Sequence, residues 1–380
     1  MIIGVDASNL LDGGGVTHLR EILRAAAPTK HGVRRVIVWG ARQTLDSLDA
    51  RPWLELRAPE VLGGGLLERA GWQTFRLGLE AKAAGCNVLF SPGGLNLSSF
   101  HPFVTMSRNM LPFDQRELRT YGSSAKRARL ELLRRLQLSS MRRADGVIFL
   151  TEYARRVVAS WLPKLAAKSA TIPHGVGEQF RRDSGASVRA AESPNGARPV
   201  RLVYVSPFEP YKHHSEVVAA AGLVRAAGFD LELTLIGAGT DEVRVLPRCE
   251  GLAWVKRLGK VPHEQLPALL HSSDVGVFAS SCENLPNVLL EYMAAGMPIV
   301  CSRLGPMPEV LGDAGVYADP EDPASLANAI LEIISSERSR STYAAKAFER
   351  GLEFRWTKCA EATFAFLAEV ATRHPDALAR

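Results

Sequence analysis

No apolar run in the chain approaches the ~20 residues that a membrane-spanning helix needs. Cysteine is scarce: the 380 residues hold five. Cys86, Cys249, Cys282, Cys301 and Cys359 are odd in number, scattered and without a CxxC pair. That excludes a disulfide scaffold and fits buried free thiols in a reducing compartment. The opening "MIIGVDAS" has neither a basic n-region nor an apolar signal core, so a cytoplasmic protein is expected. Several catalytic signatures are also missing. There is no Walker A sequence, no HExxH and no evident Ser-His-Asp arrangement. The dinucleotide fingerprint fails as well: "GAGTDE" has Gly237 and Gly239 but Glu242 at the third glycine, and "GGGVTH" ends in His18. Nicotinamide, P-loop and zinc chemistry are therefore disfavoured.

What is present is ordinary for a globular enzyme, with 46% hydrophobic and 23% charged residues. At roughly 150 residues per domain the length suggests two domains. The formal net charge of +6 is unevenly spread. Residues 1–180 hold 25 Lys and Arg against 15 Asp and Glu, and the remainder hold 21 against 25. Residues 116–143 alone carry nine basic side chains against Glu117 and Glu131. This segment reads either as a solvated helix face or as a patch for anionic lipid or an anionic acceptor. Nucleic acid is not expected as a partner, since no recognised motif or aromatic interleaving accompanies the charge.

Short β-branched runs alternate with helical patterning. Strands are expected at 2–7, 34–39, 53–57, 87–90, 103–106, 146–149 and 169–172. Helices are expected near 16–26, 66–84, 115–141 and 151–161. The second half repeats the alternation, with strands at 201–206, 231–237, 275–280 and 298–302 and helices near 213–227, 263–272 and 286–295. Alternation of this kind predicts parallel sheets covered by helices on both faces. Residues 181–199, rich in Ser, Gly, Ala, Arg and Pro, read as a linker. The expected fold class is α/β, with two Rossmann-like doubly wound domains. Ligands of such sheets bind beyond the carboxyl ends of the strands, so a cleft between domains is the expected site. Trp161, Trp254 and Trp356 read as core aromatics.

Three strand-end loops carry candidate chemistry. "NLLDGGGVTHL" puts Gly13, Gly14 and Gly15 at a helix start, as a tight turn or as an approach for an anion. "PFEPYKHH" puts Lys212 on a proline-stiffened loop before a helix, as a surface lysine or as a cation for a diphosphate. "SCENLPNVLLEYMAAGMPIV" places Glu283 in a loop and Glu291 eight residues on, within an apolar helix. A carboxylate in such a helix needs partners, and sugar hydroxyls are natural donors to it. Asn284 and Asn287 flank a Leu-Pro that fixes the turn.

The last string resembles the Glu–seven residues–Glu motif of retaining family-4 glycosyltransferases of the GT-B fold. The resemblance continues to "GVYADPEDPASLANAI", and "VSPFEPYKHH", "LTLIGAG", "RLGKVPHEQLPALLHSSDVGVFASS" and "TIPHGV" match further blocks in the family's order. It is specific over about 200–350 and looser before that. It implies an N-terminal acceptor domain over 1–180, a nucleotide-sugar donor domain over 200–355, and a C-terminal helix within 356–380 that crosses back to the first.

By resemblance, Glu283 contacts the donor sugar, Asn284, Leu285, Pro286 and Asn287 shape the sugar and diphosphate pocket, and Glu291 holds the ribose. Lys212 and Ser206 face the diphosphate. Gly14 and Gly15 lie near diphosphate and acceptor, and Gly237, Gly259 and Val261 surround the base. His174 is a loop residue facing the cleft rather than a base. Ser206-Pro207 stand where the family usually has Gly-Arg, and Arg108-Asn109 stand where many relatives have His-Asp. Arg108 is then the candidate group for the departing phosphate or an anionic acceptor, with Asn109 beside it.

The implied reaction is retaining transfer from a nucleotide-diphosphate sugar to a glycan or lipid-linked glycan, in cell-surface polysaccharide synthesis. No cofactor or metal is expected. The implied location is the cytoplasm, peripherally at the inner face of the membrane, with 116–143 toward anionic lipid. A reading of another class, a catalytically silent nucleotide- or glycan-binding module, rests on Arg108-Asn109.

Overall fold

The computed structural model describes residues 1–182 and 198–374. The linker expected at 181–199 therefore lies mostly outside the described residues. The chain divides into two compact units, Met1–Gly175 with Trp356–Arg380, and Val176–Arg355.

The first unit runs β1 (Ile2–Ala7), α1 (Gly13–Ala25), β2 (Arg35–Gly40), α2 (Arg42–Leu45), β3 (Leu54–Arg57), α3 (Leu66–Phe75), α4 (Leu77–Ala83), β4 (Val88–Ser91), β5 (Phe103–Met106), α5 (Gln115–Thr120), α6 (Ala125–Arg143), β6 (Gly146–Phe149), α7 (Glu152–Ala159) and β7 (Ser169–Thr171). Its seven strands are parallel, in the order β3-β2-β1-β4-β5-β6-β7.

The second unit runs β8 (Val200–Val205), α8 (His214–Ala226), β9 (Leu231–Ile236), α9 (Glu242–Cys249), β10 (Val255–Arg257), α10 (Leu266–His271), β11 (Val275–Phe278), α11 (Asn287–Ala294), β12 (Ile299–Ser302), α12 (Met307–Leu311), β13 (Val316–Ala318), α13 (Pro323–Ile334) and α14 (Glu337–Gly351). Its six parallel strands are ordered β10-β9-β8-β11-β12-β13. The last helix, α15 (Trp356–Thr372), returns to the first unit and packs on α1, β4 and β5.

The inner strands of each sheet are buried on both faces, which is why they read as continuous apolar runs. In each, a central-strand glycine admits a large aromatic ring. A Cβ on Gly4 would lie 3.0 Å from both Trp39 and Leu89 side chains. A Cβ on Gly276 would lie 2.7 Å from the Tyr292 ring. The Tyr292 hydroxyl accepts from the Val205 N–H at 2.9 Å and donates to the Val203 carbonyl at 3.3 Å, which seats α11 against β8.

Several expectations need correction. The single helix expected at 66–84 is two helices that meet at Arg76. The helix expected at 115–141 is also two, separated by Tyr121–Ser124. Gly122 there takes a left-handed φ of 53°. Ser124 caps α6 by accepting from the Arg127 N–H at 3.3 Å, and Asp114 caps α5 through the N–H groups of Arg116 and Glu117. Nothing was expected over 303–351, where α12, β13, α13 and α14 form. Strand β10 and helix α9, which contains Pro247, were not expected either. The three tryptophans are not core residues. Trp161 is 39% exposed with the Arg134 guanidinium 4.7 Å from its ring centroid, and half-buried Trp254 carries Arg225 at 5.6 Å. Half-buried Trp356 stacks on His174.

Candidate active site

In the Val176–Arg355 unit, the loops after β8 and β11 are knit together at the carboxyl edge of the sheet. The Tyr211 carbonyl accepts from the Ser281 N–H at 2.9 Å and the Ser281 hydroxyl at 3.2 Å. His213, the one non-glycine at positive φ among the described residues, turns the chain at 51° into α8 and contacts the Ser281 hydroxyl at 3.0 Å. These contacts bring two expected residues together: the Lys212 ammonium donates to the Glu283 carboxylate. Both side chains are largely withdrawn from water, 9% and 15% exposed, so the pair is charge-compensated rather than solvated. The Lys212 ammonium also lies 5.3 Å from the Tyr211 ring and 5.6 Å from the Phe278 ring.

Behind Lys212, His214 is fully buried. Its ring stacks on Phe208 at 4.0 Å and on Tyr204 at 4.7 Å. Burial, and then the nearby Lys212 charge, pull this imidazole down to about 3, so it is neutral near pH 7. It adds no positive charge to compete with Lys212.

Asn284, Leu285 and Pro286 are buried at the start of α11, and Asn287 is exposed at its first turn. Glu291 lies on the same helix, one turn further on and buried. Its carboxylate contacts His263 Nε2 at 3.0 Å, and the His263 ring meets the edge of Phe180 at 5.0 Å between centroids. His263 was not among the expected site residues. In the string "KVPHEQL" nothing marks it, because its partner is 28 residues away.

The expected Gly237 and its neighbour Gly239 act through the backbone. Gly237 has φ 143°, and a Cβ there would come within 1.9 Å of the Ser206 carbonyl oxygen. Gly239 would clash similarly with Phe208. Both permit the loops after β8 and β9 to touch. Ser206 is buried in that contact and donates its N–H to Ile236 at 2.9 Å. Glu242, which breaks the dinucleotide fingerprint, accepts from the Gly239 N–H at 2.8 Å. The carboxylate thus takes a backbone donor that a phosphate would use. Gly259, at φ 61°, bonds through its carbonyl to the Gly237 N–H at 2.7 Å. Val261 lines a depression of about 670 Å³ with Leu258, Lys260, Pro262, Ala268 and Leu269.

In the other unit, Arg108 and the glycine loop are also brought together. The guanidinium donates to the Gly14 carbonyl at 2.7 Å. Burial lowers Arg108 to about 10, from an ordinary 12.5. Gly13 takes φ 65°, and a Cβ on Gly15 would reach 2.9 Å from Leu10. Asn109 points into its own turn, accepting from the Leu111 N–H at 3.0 Å. His174 is buried, with Nδ1 3.0 Å from the Gly175 carbonyl and its ring stacked on Trp356 at 5.6 Å. Buried His18 meets the Trp356 edge at 5.5 Å and lies 6.1 Å from His174. Burial holds His18 well below the ordinary imidazole range, with Arg108 adding to the effect. The loop before the glycines is anchored by buried Asp6. Its carboxylate accepts from Ser8, from Gln73 at 2.5 Å and from Ser91 at 3.2 Å, while burial raises it overall.

Comparison with known proteins extends this geometry. Residues 199–336 match the family model described as glycosyl transferases group 1. Over 166 residues the chain is 30% identical to O-antigen chain mannosyltransferase B of Escherichia coli, covering 42% of this chain and 44% of that protein. The chain thus spans under half the length of that relative. Among solved structures, sucrose-phosphate synthase of Thermosynechococcus elongatus superposes with a TM-score of 0.74 at 19% identity, over 96% of this chain and 97% of that one. Anabaena HepE in complex with UDP superposes with a TM-score of 0.68 at 17% identity, over 95% and 98%.

Proposed function

We propose that this chain, whose residues 199–336 belong to the group 1 glycosyl transferases and whose fold is GT-B, moves a sugar from a nucleotide-diphosphate donor to an acceptor hydroxyl with retention of configuration. The observation that carries this reading is the buried Lys212–Glu283 pair, formed by two separate strand-end loops inside the matched domain. A ligand that is both an anion and a polyol suits such a pair. Its diphosphate takes the ammonium and its hydroxyls donate to the carboxylate.

In the reaction, Lys212 and the N-terminal N–H groups of α8 and α11 meet the diphosphate charge as it grows on departure. On this reading no metal is required. Glu283 holds the sugar and stabilises its oxocarbenium-like character. Glu291 takes the ribose hydroxyls. The acceptor oxygen bonds to the anomeric carbon on the face the diphosphate leaves. The bond from that carbon to the phosphate oxygen breaks, and a departing phosphate oxygen takes the hydroxyl proton. UDP bound to HepE supports a nucleotide donor. The O-antigen chain relative supports a polysaccharide chain as acceptor. On this reading the acceptor is a glycan or lipid-linked glycan, used in cell-surface polysaccharide synthesis at the inner face of a membrane.

A binding panel of UDP-, GDP- and ADP-sugars, followed by assay of nucleoside diphosphate release with acceptor, tests the reading. One donor should bind and be consumed only when acceptor is present. Absence of binding to every nucleotide sugar would overturn it.

A further inference from the structure

We propose that the Met1–Gly175 unit docks on an anionic lipid bilayer through one face, made of an apolar shelf on α3–α4 and an arginine stripe on α6. Five large apolar side chains are more than 60% exposed among the described residues, and four of them lie on these two short helices: Leu66 at 63%, Leu67 at 86%, Phe75 at 75% and Leu79 at 61%. Leu67 and Phe75 lie at the two ends of α3, about 80° apart around its axis, and Leu79 lies on the next helix, α4. Isolated exposed leucines need no explanation, but four such side chains on two consecutive helices mark a contact surface.

The charge lies on α6. Arg129, Leu132, Arg135, Ser139 and Arg142 are exposed and recur every three or four residues along its outer side, with exposed Leu136 beside Arg135. The acid on this helix, Glu131, pairs with Arg127 at 2.9 Å. Arg129, Arg135 and Arg142 form no ion pair among the described residues.

Topology puts both features on one side of the sheet. The crossings from β3 to β4 and from β5 to β6 run in the same direction across the strand order. Right-handed crossovers then place α3, α4 and α6 on the same face. The loop over 92–100 joins them. Its Leu95 carbonyl accepts from Gln73 of α3 at 3.0 Å, and its Asn96 N–H donates to Ser140 of α6 at 3.0 Å. Arg143 of α6 donates to the Ser98 carbonyl at 3.2 Å.

Neither feature alone holds a protein firmly to a membrane. Together they supply the two signals that stable peripheral binding needs: apolar side chains for the acyl boundary and cations for the headgroups. An anionic bilayer is the occupant that satisfies both, since the stripe offers guanidinium groups without interleaved free carboxylates. The lipid-linked reading of the acceptor gives this docking a purpose, but the test stands apart from it, because no donor or acceptor is present.

The full chain is sedimented with phosphatidylcholine vesicles, alone or with about one third phosphatidylglycerol. It should pellet with the anionic vesicles and remain in solution with the neutral ones. The pairs Leu67→Glu with Phe75→Glu, and Arg129→Glu with Arg135→Glu, should each weaken binding at least about tenfold. These positions are exposed, so far-UV circular dichroism should match the wild type. Phe75→Trp should give a blue-shifted emission on anionic vesicles. Wild-type chain that stays in solution with anionic vesicles overturns the proposal, and so does preferential binding to nucleic acid in its place. Undiminished binding by the Leu67–Phe75 double variant, or an unshifted Phe75→Trp emission, overturns it too. Failure of donor binding would leave the vesicle result standing.

Discussion

In the Val176–Arg355 unit the Lys212 cation meets the Glu283 carboxylate, whereas in the other unit Arg108 meets the Gly14 carbonyl and the Met106 sulfur, with no carboxylate partner among the described residues. A buried cation and a half-buried one are thus handled in opposite ways. The paired one is held in place by its counter-charge. The unpaired one is destabilised by burial, which is why it falls to about 10. A compensated pair can exchange partners with a ligand carrying both anion and hydroxyls. An uncompensated guanidinium gains most from an anion alone. The first suits a nucleotide sugar, and the second a departing phosphate or an acidic acceptor.

The largest effect should come from breaking the pair. Lys212→Ala and Glu283→Ala should each lower transfer about a thousandfold. Each should also cost about 3 kcal/mol of unfolding free energy in urea, because the partner stays buried and unpaired. Lys212→Met combined with Glu283→Leu should recover much of the stability and none of the activity. Single variants as stable as wild type would show that the pair is not a buried couple.

Arg108 should behave with the opposite sign. Arg108→Met removes a cation that burial disfavours, so stability should hold or rise slightly, by up to about 1 kcal/mol. Transfer should fall about tenfold to a hundredfold if the guanidinium meets developing phosphate charge. A stability loss as large as that of Lys212→Ala would erase the contrast between the units.

The parts of this molecule that were legible in the sequence share a physical origin. Buried parallel strands such as "IIGVDA" and "VGVF" read directly, because burial on both faces leaves an uninterrupted apolar run. Lys212, Glu283 and Glu291 stood out because charged residues flank or interrupt such runs. What could not be read depends on long-range approach. The need for glycine at 237 comes from the Ser206 carbonyl, 31 positions earlier, and not from any ligand in its own loop. His263 acquires meaning only where α11 brings Glu291 beside it. The break between α5 and α6 was written in Gly122 and Ser124, but the apolar and basic periodicity of the flanking helices hid it. Strands β10 and β13 are three residues each at sheet edges, too short for a period-2 signal.

A smaller effect tests a property the two units share. Each buries a neutral imidazole, His18 in one and His214 in the other. Both folded-state values lie below the ordinary 6.5, His214 at about 3. Below pH 6.5 the unfolded chain therefore binds protons that the folded chain refuses, and stability falls as pH falls. The slope per histidine is at most about 1.4 kcal/mol per pH unit. His214→Phe, which keeps the stack on Phe208 and Tyr204, should flatten the profile between about pH 6 and pH 4 for its own unit. His18→Phe should do so for the other. Urea melts at several pH values check this, and unchanged slopes in both variants would mean that the imidazoles are not the groups being titrated.

The smallest effect concerns His263, which acts through another side chain. It contacts the Glu291 carboxylate at 3.0 Å while half of its own side chain faces solvent. On the proposed reading Glu291 takes the ribose hydroxyls, so His263 sets the orientation of an acceptor group and touches no reacting atom. His263→Ala should then raise the donor KM about fivefold, the worth of one hydrogen bond near 1 kcal/mol. Turnover should stay unchanged, since ribose contacts are alike in ground and transition states. His263→Gln, which keeps a donor at similar reach, should restore most of the affinity. A merely structural histidine would lower turnover and stability together and would not be rescued by glutamine. The split between KM and kcat therefore separates positioning from packing. It also sets the paired site of this unit against Arg108, whose loss should fall on turnover.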